Sequence, residues 1–433
     1  MKYFYQSTAF IRKFAFYAFD ALKGRIIGKH LTDINSHFEN PAESKNSRET
    51  LLLNLLSHTF KTVDYYAKLE GISKLSDYPV VTKSHFIDHF DSFISSQYKD
   101  TKLFKMTTSG STGIPLLVLQ NKQKKDRNTA DTIYFAKRVG VYVGVKLLYI
   151  KLWSHKNKKS KLSLAIQNIM PHNILDSDKS HFEKLLYKMN RYSGKMNMIV
   201  YPSFLEQLCQ HLEKKDVELP KIGSLITISE KLNKYERQCA EKLFGARVYE
   251  RYSNMENGIL AQEDSTSCYY TVNTASYIVE MLHPEYDVAI AEGEVGRIVI
   301  TDLFNYAMPM IRYDTGDMAI AKTLDDGRLV FTEIFGRKMD VVYDTNGKYV
   351  SPHIFYMISK FSVHKQFQFI QNGKKTYCFK LNATPEKTNE NAMVDYFKAY
   401  LGNDAVFSFE YVDEIPLLAS GKRKKVENRL SSY

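Results

Sequence analysis

The chain has 433 residues, enough for two or three domains, and its 44% hydrophobic and 13% aromatic content is that of a folded globular protein. A net charge of +12 invites polyanionic partners, yet lysines are spread along the chain and no RNA- or DNA-binding module pattern occurs, so nucleic acid is not expected as a partner. Cys209, Cys239, Cys268 and Cys378 are far apart and form no CxxC pair, which argues against a disulfide framework or zinc site and fits a reducing cytoplasm.

The first segment is apolar but interrupted by Arg12 and Lys13, and no small-residue cleavage site ends it, so a signal peptide is not expected. No run approaches the roughly 18 apolar residues of a membrane span. Phe10, Phe14, Tyr17 and Ala21 share one face of a predicted helix flanked by Arg12, Lys13, Lys23 and Arg25. Docking of that face onto the protein's own core is the favoured expectation. Peripheral contact with the inner membrane surface is the alternative. The rest of residues 1–100 reads as mainly helical, up to the Pro-marked turn Tyr78-Pro79-Val80-Val81-Thr82-Lys83, where Thr82 can cap the next helix.

From residue 101 to 336 short apolar runs alternate with amphipathic helices. Strands are expected at Met198–Tyr201, Ser224–Ile228 and Arg247–Tyr252, and helices at Phe204–Lys214 and Lys234–Phe244, with Pro202-Ser203 as a turn and cap. This alternation predicts an α/β domain with mixed or largely parallel sheets and helices. Beyond a boundary at Gly336-Arg337, residues 337–433 read as a small α+β domain. Its expected elements are a hairpin at Asn346-Gly347, two strands around Asn372-Gly373, a helix near Asn389–Tyr400 and a strand at Ala405–Tyr411.

Five segments carry chemistry. Thr107-Thr108-Ser109-Gly110-Ser111-Thr112-Gly113-Ile114-Pro115 is a run of small and hydroxylated residues whose N–H and O–H groups can wrap a polyphosphate. It is no Walker A loop, since no Gly-Lys-Ser/Thr closes it. Tyr252-Ser253-Asn254-Met255-Glu256 puts a carboxylate just after a strand, at the edge where α/β sheets bind ligands. In Arg312-Tyr313-Asp314-Thr315-Gly316-Asp317, Asp317 is expected on a tight Gly turn suited to a ribose diol. Gly336-Arg337 and the basic loop Ser420-Gly421-Lys422-Arg423 complete the set.

In this order the segments resemble the adenylate-forming superfamily of acyl-CoA synthetases, adenylation domains and luciferases. Pro79-Val80-Val81-Thr82-Lys83 is similar to the phenylacetate–CoA ligase family. Tyr201-Pro202-Ser203 and Ser229-Glu230 resemble its CapK-type branch, found with capsule and surface-polysaccharide genes. The resemblance implies a large N-terminal domain with a small mobile lid, and ATP and Mg²⁺ as cofactors. Thr107 to Gly113 would hold the phosphates, with Thr108 catalytic. Glu256 would hold Mg²⁺, and Asp317, helped by Arg337, the ribose. Ser229, Glu230, Tyr252, Ser253 and Asn254 would surround the nucleotide, Lys422 would bridge carboxylate and phosphate oxygens, and residues 338–340 would form the hinge.

The same resemblance implies a ligase that adenylates a small carboxylic acid and passes the acyl group to coenzyme A, or to an amine as the alternative. A non-catalytic membrane-surface or polyanion binder is the alternative of another class. It leaves Glu256, Asp317 and Lys422 unexplained. Departures from the family pattern are Leu116, where Lys is frequent, Ser253 in place of Gly, and Met339 at the hinge. Cys268 stands alone where some relatives carry a zinc site.

Overall fold

The computed structural model describes residues 2–69, 74–108, 115–153, 159–176, 179–192, 194–213, 219–232, 234–337, 342–350, 352–364, 366–416 and 424–430. Residues 109–114, 338–340 and 420–423 therefore lie outside the description, as does most of the basic run His155–Lys161. The chain divides into two units. The larger comprises residues 1–315 and 320–333, the smaller 316–319 and 334–433.

The larger unit opens with α1 (Lys2–Leu22), α2 (Ile26–Glu39), α3 (Pro41–Thr62) and α4 (Lys83–Asp88). Thr82 caps α4, and its N–H donates back to His85 Nδ1 at 3.0 Å. The expected docking of α1 is reversed. Phe10 and Phe14 are exposed, while Phe16 packs toward the cluster around Ile27, Ile34 and Phe135. Asp20, on the inward side, accepts the backbone N–H groups of Ile27 and Gly28, each at 2.9 Å. The first turn of α2 has donors without helical partners, and this carboxylate satisfies two of them. That requirement, rather than the apolar stripe, fixes the rotation of α1.

Next come β1 (Phe104–Thr107), β2 (Leu117–Gln120), α5 (Lys122–Arg138), β3 (Leu147–Lys151), α6 (Lys161–Ile166), β4 (Ile169–Asn173) and α7 (Lys179–Asn190). These are followed by β5 (Met196–Val200), α8 (Pro202–Leu212), β6 (Ile222–Ile228), α9 (Lys234–Phe244) and β7 (Val248–Asn254). Strands β4, β3, β5, β6 and β7 pair in parallel in that order. Nearly every residue of β5 and β6 is buried, as expected where helices cover both faces of a sheet. Pro202 belongs to α8 rather than to a preceding turn. It takes the first helical position, where its missing N–H costs nothing.

At β7 the sheet changes character. β8 (Gly258–Glu263) pairs antiparallel with β7, with a register shift between Tyr252 and Ser253. β9 (Tyr270–Val272), β10 (Tyr277–Leu282), β11 (Val295–Asp302), β12 (Tyr313–Thr323) and β13 (Leu329–Arg337) extend it into one sheet of order β10-β11-β12-β13-β9-β8-β7-β6-β5-β3-β4. The expected mixed α/β sheet is thus observed, parallel from β4 to β7 and antiparallel where β8, β9 and β13 follow.

In the smaller unit, β14 (Val342–Tyr343) and β15 (Tyr349–Val350) form the expected hairpin. Its turn is longer than two residues. The Asp344 N–H donates to the Lys348 carbonyl at 2.8 Å, and Gly347 takes φ +82°. A second sheet has the order β18-β17-β16-β19, built from β16 (Gln366–Gln371), β17 (Thr376–Asn382), β18 (Val406–Tyr411) and β19 (Val426–Asn428). α10 (Glu390–Leu401) is capped by the Asn389 side chain, and Phe355, Phe369, Phe379 and Phe397 fill the core.

Candidate functional site

The Thr/Ser/Gly segment leaves the end of β1 and returns at β2. The Thr108 N–H donates to the Leu116 carbonyl, and the Leu116 N–H donates to Thr108 Oγ1, both at 2.9 Å. Residues 108 and 116 thus close a stem at the two ends of this segment. Leu116, which stands where Lys is frequent, is fully buried and anchors that stem apolarly. Thr107 pairs with Leu117 as the last rung of the β1–β2 ladder.

β2 leads directly to the carboxylate. Gln120 is buried, and its Nε2 donates to the Glu256 carbonyl at 2.9 Å. Glu256 sits in the turn between β7 and β8. Asn254 Oδ1 accepts the Asn257 N–H at 2.9 Å, and Gly258 takes φ +112° with its Cα so close to Asn128 that a Cβ would lie 2.8 Å from Oδ1. Only glycine meets both demands. The Asn257 carbonyl accepts from Tyr277 Oη at 2.6 Å, Lys124 Nζ donates to Tyr277 Oη at 2.9 Å, and Lys124 pairs with Asp302 at 2.6 Å. Glu256 itself is buried, and Tyr313 Oη donates to its Oε1 at 3.2 Å.

Tyr313 begins β12 and so brings in the third motif. The Tyr252 hydroxyl reaches Thr315 Oγ1 at 3.3 Å, two residues before Asp317. The Pro79–Thr82 segment runs alongside. The Val81 N–H donates to the Arg312 carbonyl at 3.0 Å, and the Asp314 N–H donates to the Val81 carbonyl at 2.8 Å. Arg312 Nη1 also donates to the carbonyls of Ser76 and Tyr78, and its Nε to Glu280. Asp317 is not on a turn. It lies within β12 directly after Gly316, whose φ of +76° interrupts the strand's regular course.

Ser229 follows β6 with φ +72°, a left-handed conformation that is uncommon for a non-glycine residue. Glu230 has a structural employment. Its Oε2 accepts the Ser203 N–H at 2.8 Å and its Oε1 the Ser203 hydroxyl at 3.1 Å, so it caps α8 from outside. Ser253 lies on β7 opposite Ile259. Arg337 ends β13, and its side chain lies outside the description, as do Ser109, Gly110, Ser111, Thr112, Gly113 and Lys422.

One residue was not singled out by any sequence pattern. Arg251, paired with Ile228 of β6 at the last parallel rung of β7, donates through Nε to Gln262 Oε1 at 2.7 Å. Its Nη2 is sealed from water and meets no hydrogen-bond acceptor among the described residues. Burial pulls its pKa down to about 10. A lone arginine inside a strand has no spacing signature. Only the fold marks it, by placing no acid beside it among the described residues.

The comparisons with known proteins agree with this architecture. Residues 342–429 match the CapK C-terminal domain family. The chain is 21% identical to protein CapK of Staphylococcus aureus over 86% of its own length and 84% of that protein's. Among solved structures it resembles a 2-hydroxyisobutyryl-CoA ligase in complex with an acyl-adenylate, with a TM-score of 0.69 and 13% identity, covering 90% of each chain. It also resembles ATP-bound MatB of Rhodopseudomonas palustris, with a TM-score of 0.55 and 16% identity over 74% of this chain and 66% of that one. The chain is thus a CapK homologue with a CapK-type C-terminal domain and the fold of the adenylate-forming ligases.

Proposed function

We propose that this protein is an ATP-dependent ligase that activates a small carboxylic acid as its acyl-adenylate. The observation that carries the reading is the direct hydrogen bonding of three separate motifs: the stem strand β2 through Gln120, the β7–β8 turn through Glu256, and the start of β12 through Tyr313. They meet where the sheet changes from parallel to antiparallel, beside the carboxyl ends of the parallel strands, where open α/β sheets take ligands. Structural neighbours with an adenylate or ATP bound support the same reading.

The chemistry follows from leaving groups. A carboxylate offers no group that a thiol or amine can expel. Attack of its oxygen on the α-phosphorus forms the acid–phosphate anhydride and releases pyrophosphate. An acceptor then attacks the acyl carbon, and AMP departs with the bonding pair. Residues 108–113 supply N–H and O–H donors to the phosphates, Asp317 accepts the ribose hydroxyls, and Lys422 donates to the oxygens that gain charge during the first displacement.

Among the described residues no three His, Cys, Asp or Glu side chains gather. A single buried carboxylate is the donor set expected for Mg²⁺, which takes one or two protein oxygens and completes its shell with phosphate and water. Glu256 is the residue that would hold it, and the ion would neutralise phosphate charge. Arg251, at the end of the parallel strands with no acid beside it among the described residues, is the cation that meets an anionic group of the substrate. Coenzyme A is the acceptor in this reading, with an amine as the alternative.

ATP–pyrophosphate exchange across a panel of aryl, fatty, amino and sugar acids tests the proposal, followed by mass analysis of products formed with coenzyme A or amines. Exchange stimulated by at least one acid supports it. No exchange with any acid, in protein that binds ATP, overturns it.

A further inference from the structure

We infer that α1 lies flat on an anionic lipid surface, held by its outward apolar face and a basic margin. Phe10, Ile11, Phe14, Phe19 and Leu22 are 69%, 62%, 67%, 59% and 86% exposed. At 100° per residue they fall in one arc together with Ala15, Ala18 and Ala21, and no charged residue enters that arc between Phe10 and Leu22. This inverts the normal arrangement of a surface helix, whose apolar stripe faces the core. The inversion is enforced, because Asp20 must point inward to cap α2.

The margin identifies the occupant. Arg12, Lys13, Lys23, Arg25 and Lys29 border the arc or follow it directly, and Asp20, the one acid before Asp33, is committed to backbone donors. A second copy of this chain would bring the same positive charges against themselves. An anionic headgroup layer neutralises them, while the long aliphatic stems reach up from the apolar level. Among the described residues no helix is long and apolar enough to cross a membrane, so the geometry is in-plane.

A second element joins the same edge. Gly144 presses so closely on α1 that a Cβ there would overlap the Ala9 carbonyl, and the Gly144 carbonyl accepts from Asn168 Nδ2 at 2.9 Å. Asn168 follows α6, whose Leu162 and Ile166 are 70% and 65% exposed, with Lys161 beside them. Tyr142, half exposed, lies in the turn between. Apolar and basic side chains therefore recur on the elements flanking one turn.

The test is co-flotation of the full chain with phosphatidylcholine vesicles, with and without phosphatidylglycerol. Wild-type protein is expected to float with the anionic vesicles. Phe10→Gln/Phe14→Gln is expected to weaken partitioning by about tenfold or more, and Lys13→Glu/Lys23→Glu to remove the preference for phosphatidylglycerol. Circular dichroism should be unchanged, since these side chains support nothing inside the fold. Two results overturn the inference: flotation that the Phe pair does not alter, or a lipid-free dimer that the same pair dissolves. Acid-dependent pyrophosphate exchange should be equal in all variants, which separates this inference from the proposed activity.

Discussion

Tyr313 donates its hydroxyl to Oε1 of Glu256 across 3.2 Å, joining two motifs that are 57 residues apart in the chain, with both side chains buried. The bond orients a carboxylate whose backbone is already pinned by Gln120. Glu256→Gln removes the charge while keeping the shape. Pyrophosphate exchange is expected to fall by about 100-fold or more. Tyr313→Phe removes only the orienting bond, so the expected loss is about tenfold, with a raised magnesium requirement. Exchange that is indifferent to Glu256→Gln would remove that residue from the site.

Lys422 lies between Pro416 and β19 in the chain. Lys422→Ala is expected to lower adenylation by about 100- to 1,000-fold, the loss typical of one donor to developing charge. Thermal unfolding should stay where it is. A variant that retains near-normal exchange refutes the assignment.

Lys124 and Asp302 form an ion pair with both side chains fully buried, and Lys124 also supports the Tyr277 hydroxyl that holds the Glu256 turn. Lys124→Met leaves a buried carboxylate without its cation. The expected cost is about 3–5 kcal/mol in urea unfolding. Adding Asp302→Leu removes the stranded charge and should restore most of the loss. If the double variant is as unstable as the single one, the destabilisation comes from packing rather than charge.

His37 of α2 bridges Thr274 Oγ1 at 2.8 Å and Ser44 Oγ at 2.7 Å. Burial, and then the Arg48 cation, push its pKa down to about 4. The folded state holds the ring neutral, while the unfolded chain protonates near 6.5. Between those values the unfolded state binds the extra proton, so this stabilisation is complete above about pH 6.5 and is lost as pH falls toward 4. His37→Gln should flatten the slope of unfolding free energy against pH across that window. An unchanged slope shows that His37 does not titrate on unfolding.

The parallel half of the fold was legible because its strands are short apolar runs separated by amphipathic helices. α9 appears at the residues expected, and β5 to β7 within two residues of theirs. The antiparallel half was not, since β13 pairs with β9 across nearly sixty residues and nothing local specifies that partner. α5 was missed for another reason. Its sequence is polar enough to suggest a solvated segment, yet Lys124, Arg127 and Asp131 are buried because they pair with Asp302, Asp33 and Ser276. The site was partly legible. Glu256 stood out by its place after a strand. Gln120, Tyr277 and Arg251 act through contacts that no motif encodes.

The junction at β7 has a further consequence under the proposed function. The carboxylate turn is gripped by Tyr313, Tyr277 and Gln120, none of which belongs to the parallel strands. Substitutions in β3 and β5 accordingly leave the hydrogen bonds on that turn untouched. Under that function, a lineage can let the parallel half diverge while it inherits the carboxylate turn unchanged.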